Sequence, residues 1–137
     1  MLTIGCAGFA VPATRYFKEY LFVEIQETNL GIPGPGTVRR WGREAPEGFE
    51  FALLGPREII QEGFKLGPVV DTALENLAGI RDRLKATTAM FIASEEFAAN
   101  RTNKTNLKAF LKLARSQYDR VVFEVPGFKP DEADALA

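Results

Sequence analysis

Glu24 and Glu124 are carboxylates set inside apolar runs, Leu21-Phe22-Val23-Glu24-Ile25 and Val121-Val122-Phe123-Glu124-Val125. A carboxylate withdrawn from water must find a partner or become neutral. If both side chains open onto one cleft, they can share a divalent ion through hard oxygen ligands or divide acid and base roles. The competing expectation is a structural ion pair with Arg57 or Arg15, because ion-pair networks also perturb buried acids. Arg57 follows the third β-prone run, where its guanidinium could grip phosphate or carboxylate in bidentate fashion, or clamp Glu24. Gly5 and Gly8, with Phe9 next in line, flank a first turn whose backbone amides could approach an anion; a tight turn is the plainer reading of so short a Gly-x-x-Gly.

Other residues argue mainly for packing. Cys6 has no histidine to activate it and reads as a small packed hydrophobe. Arg39, Arg40 and Arg43 around Trp41 form a basic, aromatic pattern that could grip single-stranded nucleic acid. On a short helix, the same pattern arises when arginines face water around a buried tryptophan. Phe9, Phe22, Phe49, Phe51, Phe91, Phe110 and Phe123 fall mostly on strands or helical stripes, where core packing accounts for them.

The absence of histidine excludes a Ser-His-Asp or Cys-His nucleophile, a zinc-binding His-Glu-x-x-His and any imidazole base. With one cysteine no internal disulfide can form, which suits a reducing compartment and leads us to expect a cytoplasmic protein. A net charge of −1 creates no whole-chain field for nucleic acid or anionic membrane, so any polyanion site must be a local patch. No apolar run approaches the roughly 20 residues of a membrane-spanning helix. Thr3-Ile4-Gly5-Cys6 lacks the charged start and apolar stretch of a signal peptide, and the acceptor-like Asn100-Arg101-Thr102 and Asn103-Lys104-Thr105 read as loop residues.

The positioning elements follow from periodicity. A length of 137 residues with 46% apolar content fits one domain, residues 1–137, with its own core. Leu2–Cys6, Leu21–Ile25, Phe49–Leu54, Thr88–Ala93 and Val121–Val125 are β-prone runs. Pro12 opens a helix bearing Tyr16, Phe17 and Tyr20, Gly31–Gly36 is a loop, and Thr37 is expected to cap a short helix through Val38 and Trp41. Val70, Ala73, Leu74, Leu77, Ile80 and Leu84 make one stripe of a helix over about 69–85. Leu107, Phe110, Leu111 and Ala114 make another, with Asn103 or Thr105 as its expected cap, and Pro130-Asp131-Glu132 starts a last helix. Strands alternating with helices predict an α/β fold with a parallel sheet, whose ligands gather at the carboxyl ends of the strands.

Five segments resemble, in order, the N-terminal signature of the YecE-like family, domain of unknown function 72. They are Gly5-Cys6-Ala7-Gly8-Phe9, Val23-Glu24-Ile25, Thr37-Val38-Arg39-Arg40-Trp41, Pro46-Glu47-Gly48-Phe49, and Phe51-Ala52 with Pro56-Arg57. The resemblance is good through Gln61, weaker through Phe97, and returns at Phe123-Glu124. It implies parallel β/α units of a TIM-barrel-like fold, of which about five strands are present, in an incomplete or open barrel. Complete barrels take about 250 residues. It also implies a thinned polar mouth, since Gln26, Leu54, Gln61, Ile92 and Val125 stand where the family tends to show Asn, Lys, His, Gln and Arg.

Three functional expectations follow. One is a non-catalytic or weakly ligand-binding relative with an eroded polar cleft. Another is a metal-assisted phosphoesterase or nuclease acting on nucleic acid through Glu24 and Glu124, by the family's likeness to endonuclease IV-type barrels. The third is a self-associating half-barrel forming homo-oligomers through its open sheet edges.

Overall fold

The computed structural model describes residues 2–137. Five strands, β1 (Gly5–Ala7), β2 (Phe22–Ile25), β3 (Glu50–Leu54), β4 (Thr88–Ile92) and β5 (Arg120–Glu124), form one sheet in sequential order with every neighbouring pair parallel. The crossovers are α1 (Ala13–Glu19), then α2 (Glu27–Leu30) with α3 (Pro35–Glu44), then α4 (Arg57–Gln61) with α5 (Pro68–Leu84), then α6 (Arg101–Arg115). α7 (Pro130–Asp134) follows β5.

The order decides the layering. Right-handed crossovers that always step in the same direction deposit every helix on the same face of the sheet. Val23, Ile25, Phe51, Leu53, Ala89 and Phe91 point to that face and are all buried with Tyr16, Trp41, Leu77, Leu107 and Phe110. Residues that pair across strands lie on one side together, so Gly5, Phe22 and Glu50 share the other face with Ala7, Glu24, Ala52, Thr88 and Arg120, and with Leu54, Met90 and Val122. Ile92 and Glu124 complete it at its carboxyl end. Among the described residues this concave side is only partly covered: Ala52 and Thr88 are buried, but Leu54, Met90 and Val122 are half-buried and Ile92 is 41% exposed.

Several elements begin elsewhere than their local signals indicate. β1 pairs only over Gly5–Ala7, and Leu2, Thr3 and Ile4 lie before it unpaired and exposed. α3 starts at Pro35, placed in its first turn where a missing N–H costs nothing, so Thr37 lies inside the helix instead of capping it. α6 is capped by Asn100, whose Oδ1 accepts from the Asn103 amide at 2.8 Å, ahead of the expected Asn103 or Thr105. Asn103 is thereby a first-turn residue of the helix and donates its side-chain amide to the Ala98 carbonyl at 2.9 Å. No helix is long and apolar enough to cross a membrane among the described residues.

Candidate functional site

Glu24 and Glu124 end their strands on the concave face, at the carboxyl rim. Their backbones are tied to the segments beside them. Gly8 donates its N–H to the Glu24 carbonyl at 2.8 Å, and Ala93 donates to the Glu124 carbonyl at 2.9 Å. Glu24 is half-buried and Glu124 is exposed. The Gln26 side-chain amide, two residues further on, donates to the Glu24 carboxylate. Partial burial raises the pKa of Glu24 above its ordinary 4.5, the Gln26 hydrogen bond pulls it down, and the charge of Glu124 raises it again. Glu124, with β3 and β4 between its strand and that of Glu24, is the smallest of the three influences.

Neither acid forms the expected ion pair. Arg15 is bound to Glu19 at 3.2 Å on α1, and Arg57 pairs with its neighbour Glu58 at 3.9 Å at the exposed start of α4. Among the described residues no ion pair reaches Glu24 or Glu124. The reason is direction: α1 lies on the helical side of the sheet, whereas Glu24 faces the other side. Gln26 is the partner that sequence reasoning missed.

A raised carboxyl has a definite pH consequence. Glu24 binds its proton more tightly in the folded chain than in the unfolded one, so its contribution to stability falls as pH rises from the ordinary glutamate value through the raised native one. A carbon-13 titration of the Glu24 carboxyl should show a midpoint above 4.5, and Glu124→Gln should move that midpoint down. An unchanged midpoint in the variant would mean that the acids do not interact.

The remaining candidates are dispersed. Gly8 adopts φ of +80° and turns the chain after β1, while Gly5 sits where any side chain would collide with the Phe22 carbonyl. Phe9 packs its ring among Tyr16, Phe17 and Trp41, with centroids at 5.3, 5.6 and 5.3 Å. Trp41 is itself buried, and Arg39, Arg40 and Arg43 are exposed around it. Among the described residues Gly8 and Gln26 contact Glu24 at the rim.

Metal chemistry can be tested on the donor set. Catalytic zinc takes three protein ligands, and no group of three His, Cys, Asp or Glu side chains could hold a metal among the described residues. Magnesium keeps several waters and needs only one or two carboxylates beside a substrate phosphate. Glu24 or Glu124 alone meets that lesser demand, and two strands stand between them in the sheet.

A family model described as a protein of unknown function, DUF72, matches residues 12–126. The chain belongs to the DUF72 family. Two crystal structures of a DUF72 family protein from Enterococcus faecalis V583, at 2.52 and 3.10 Å resolution, share its fold at 18% identity, with TM-scores of 0.69 and 0.66. The alignments cover 95% and 92% of this chain but 55% and 48% of those chains, so it spans about half the length of these DUF72 structures. No curated protein matches it. Within this DUF72 half, Leu54 and Ile92 put hydrocarbon on the concave face and Val125 is buried in the core.

Proposed function

We propose that this chain is a non-catalytic, ligand-binding DUF72 relative. The observation that carries the reading is the chemistry of the concave face. Its floor is Phe22, Leu54, Met90, Ile92 and Val122, and the groups gathered at its carboxyl rim are Glu24, Gln26 and Glu124. Such a rim accepts hydrogen bonds and repels anions, so it suits a ligand with hydroxyl or ammonium groups above an apolar body. Acid–base catalysis would need a group poised against a reacting atom. Among the described residues the rim supplies two carboxylates and one amide, and no ion pair brings a cation onto either carboxylate to steady developing negative charge.

Hydrolysis of bis-p-nitrophenyl phosphate, abasic DNA and single-stranded DNA, each with magnesium, manganese or zinc, is expected to stay at the buffer rate. Metal-dependent turnover that disappears in both Glu24→Gln and Glu124→Gln would overturn the reading. It would support instead a metal-assisted phosphoesterase, the alternative in which both acids at the carboxyl rim act on the metal and its substrate. Each substitution should then cost about 10²–10⁴-fold in rate, the usual contribution of a positioned acid or base.

A further inference from the structure

Among the described residues the sheet leaves three things unpartnered at once. Its concave face carries Leu54, Met90, Ile92 and Val122 without a covering layer. Its two edges, β1 and β5, each offer an unpaired row of backbone donors and acceptors. Before β1 runs Leu2-Thr3-Ile4, a β-prone stretch with Leu2 84% and Ile4 64% exposed, held by no neighbouring strand. The Enterococcus faecalis chains that share this fold are about twice as long as the part aligned here.

We propose that a second copy of this chain supplies that layer, with β5 of each copy lying parallel beside β1 of the other. The direction of the strands permits it. Every strand points the same way, so a two-fold axis running along them leaves all strands of both copies parallel. The β5–β1 contact then occurs twice, and after the second no edge remains open. The lengths also agree. β5 has five residues and β1 only three, but pairing on the outer side of β1 would extend it backwards through Ile4, Thr3 and Leu2. The amino end of the face is charged in a compatible way, with Arg120 and Glu50 both exposed and in no ion pair among the described residues. The Glu24–Glu124 rim, half a mouth in one copy, becomes a closed one.

This inference does not depend on what the rim binds, because mass reports it and turnover does not. Sedimentation and light scattering from about 1 to about 200 µM, the range of ordinary reversible association, should give twice the 15.2 kDa monomer mass. Ile92→Glu places a charge on the concave face, and Thr3→Pro removes an outward-facing edge donor ahead of β1, where Cys6 and Gly8, of the other parity, turn their N–H groups toward β2. Neither residue is buried, so circular dichroism should be unchanged while the dimer weakens at least about tenfold in each. Ile32→Glu, at an equally exposed apolar site on the helical side, should leave the mass as it was. A monomer throughout this range, or a mass that climbs past two copies, would overturn the proposal. So would a dimer lost in Ile32→Glu but kept in the other two variants.

Discussion

Alanine at Gly55 is expected to destabilise the fold by about 3 kcal/mol, a large share of the 5–15 kcal/mol typical of a domain. Gly55 directly follows β3 and donates its N–H to the Met90 carbonyl at 2.6 Å, extending the β3–β4 ladder by one step. A Cβ there would lie 2.3 and 2.5 Å from Cδ1 and Cε1 of Phe91 and 3.0 Å from the Met90 carbonyl oxygen. Phe91 cannot step aside. It is 1% exposed and set edge-on against Phe110 at 4.8 Å, and Phe110 is in turn packed on Phe64 at 5.1 Å. The strain therefore passes down an aromatic chain, or the β3 end lifts and loses its hydrogen bond at roughly 1 kcal/mol. Lifting would also reach the rim, because Asn29 donates to the Gly55 carbonyl at 3.0 Å and Thr28 to the Leu54 carbonyl at 2.5 Å. Urea unfolding should show a lower midpoint, with a fall in melting temperature on the order of 10 °C. Trimming Phe91 to leucine in the same chain should recover part of the loss, because residues in contact are not additive. A double variant as unstable as the sum of the single ones would place the damage elsewhere.

The parallel sheet and the two long helices were legible because their signals are long and internally consistent. β2 to β5 are near-continuous apolar runs, the pattern of strands between two covered faces. Among the described residues the other face is covered only in part, and the same pattern leaves hydrocarbon on it at Leu54, Met90 and Ile92. α5 and α6 bury the stripes that their spacing predicts, from Val70 to Leu84 and from Leu107 to Ala114. The short helices had no such signal. α2 and α4, of four and five residues, bury only Thr28 and Ile59 respectively, and one residue cannot form a stripe. Their existence depends on what they touch: the Thr28 hydroxyl is spent on the Leu54 carbonyl across the sheet, a contact 26 residues away. The site divides similarly. That Glu24 and Glu124 share a rim follows from parallel strands of similar composition, whereas their lack of a cation depends on which side each arginine faces. Gln26 was within reach of sequence reasoning, since a residue two positions beyond Glu24 returns to the same side of an extended chain.

Tyr16→Phe, which removes a single oxygen, is expected to cost about 2–3 kcal/mol and to loosen the first strand selectively. The Tyr16 hydroxyl lies between β1 and β2, donating to the Phe22 carbonyl at 2.6 Å and accepting from the Cys6 amide at 2.7 Å. Burial pushes its pKa above 10, so it remains a donor throughout the accessible pH range. Phenylalanine keeps the ring, including its contacts with Phe9 and Tyr20 at 5.3 and 4.6 Å, and strands one donor and one acceptor at the edge of the sheet. β1 has only three residues to hold it, so the lost bridge is a large part of its attachment. Amide exchange should quicken at Cys6 and at Gly8, whose N–H bond to the Glu24 carbonyl depends on β1 staying in place. Exchange in β4 should change only with the global stability. The titration of Glu24 connects this defect to the rim. Once β1 frays, water gains access to the carboxylate, the burial that raises its pKa diminishes, and its midpoint should move back toward 4.5. Uniformly faster exchange across all five strands, with the Glu24 midpoint unmoved, would show that the hydroxyl supports the core as a whole and has no special hold on the edge where the rim begins.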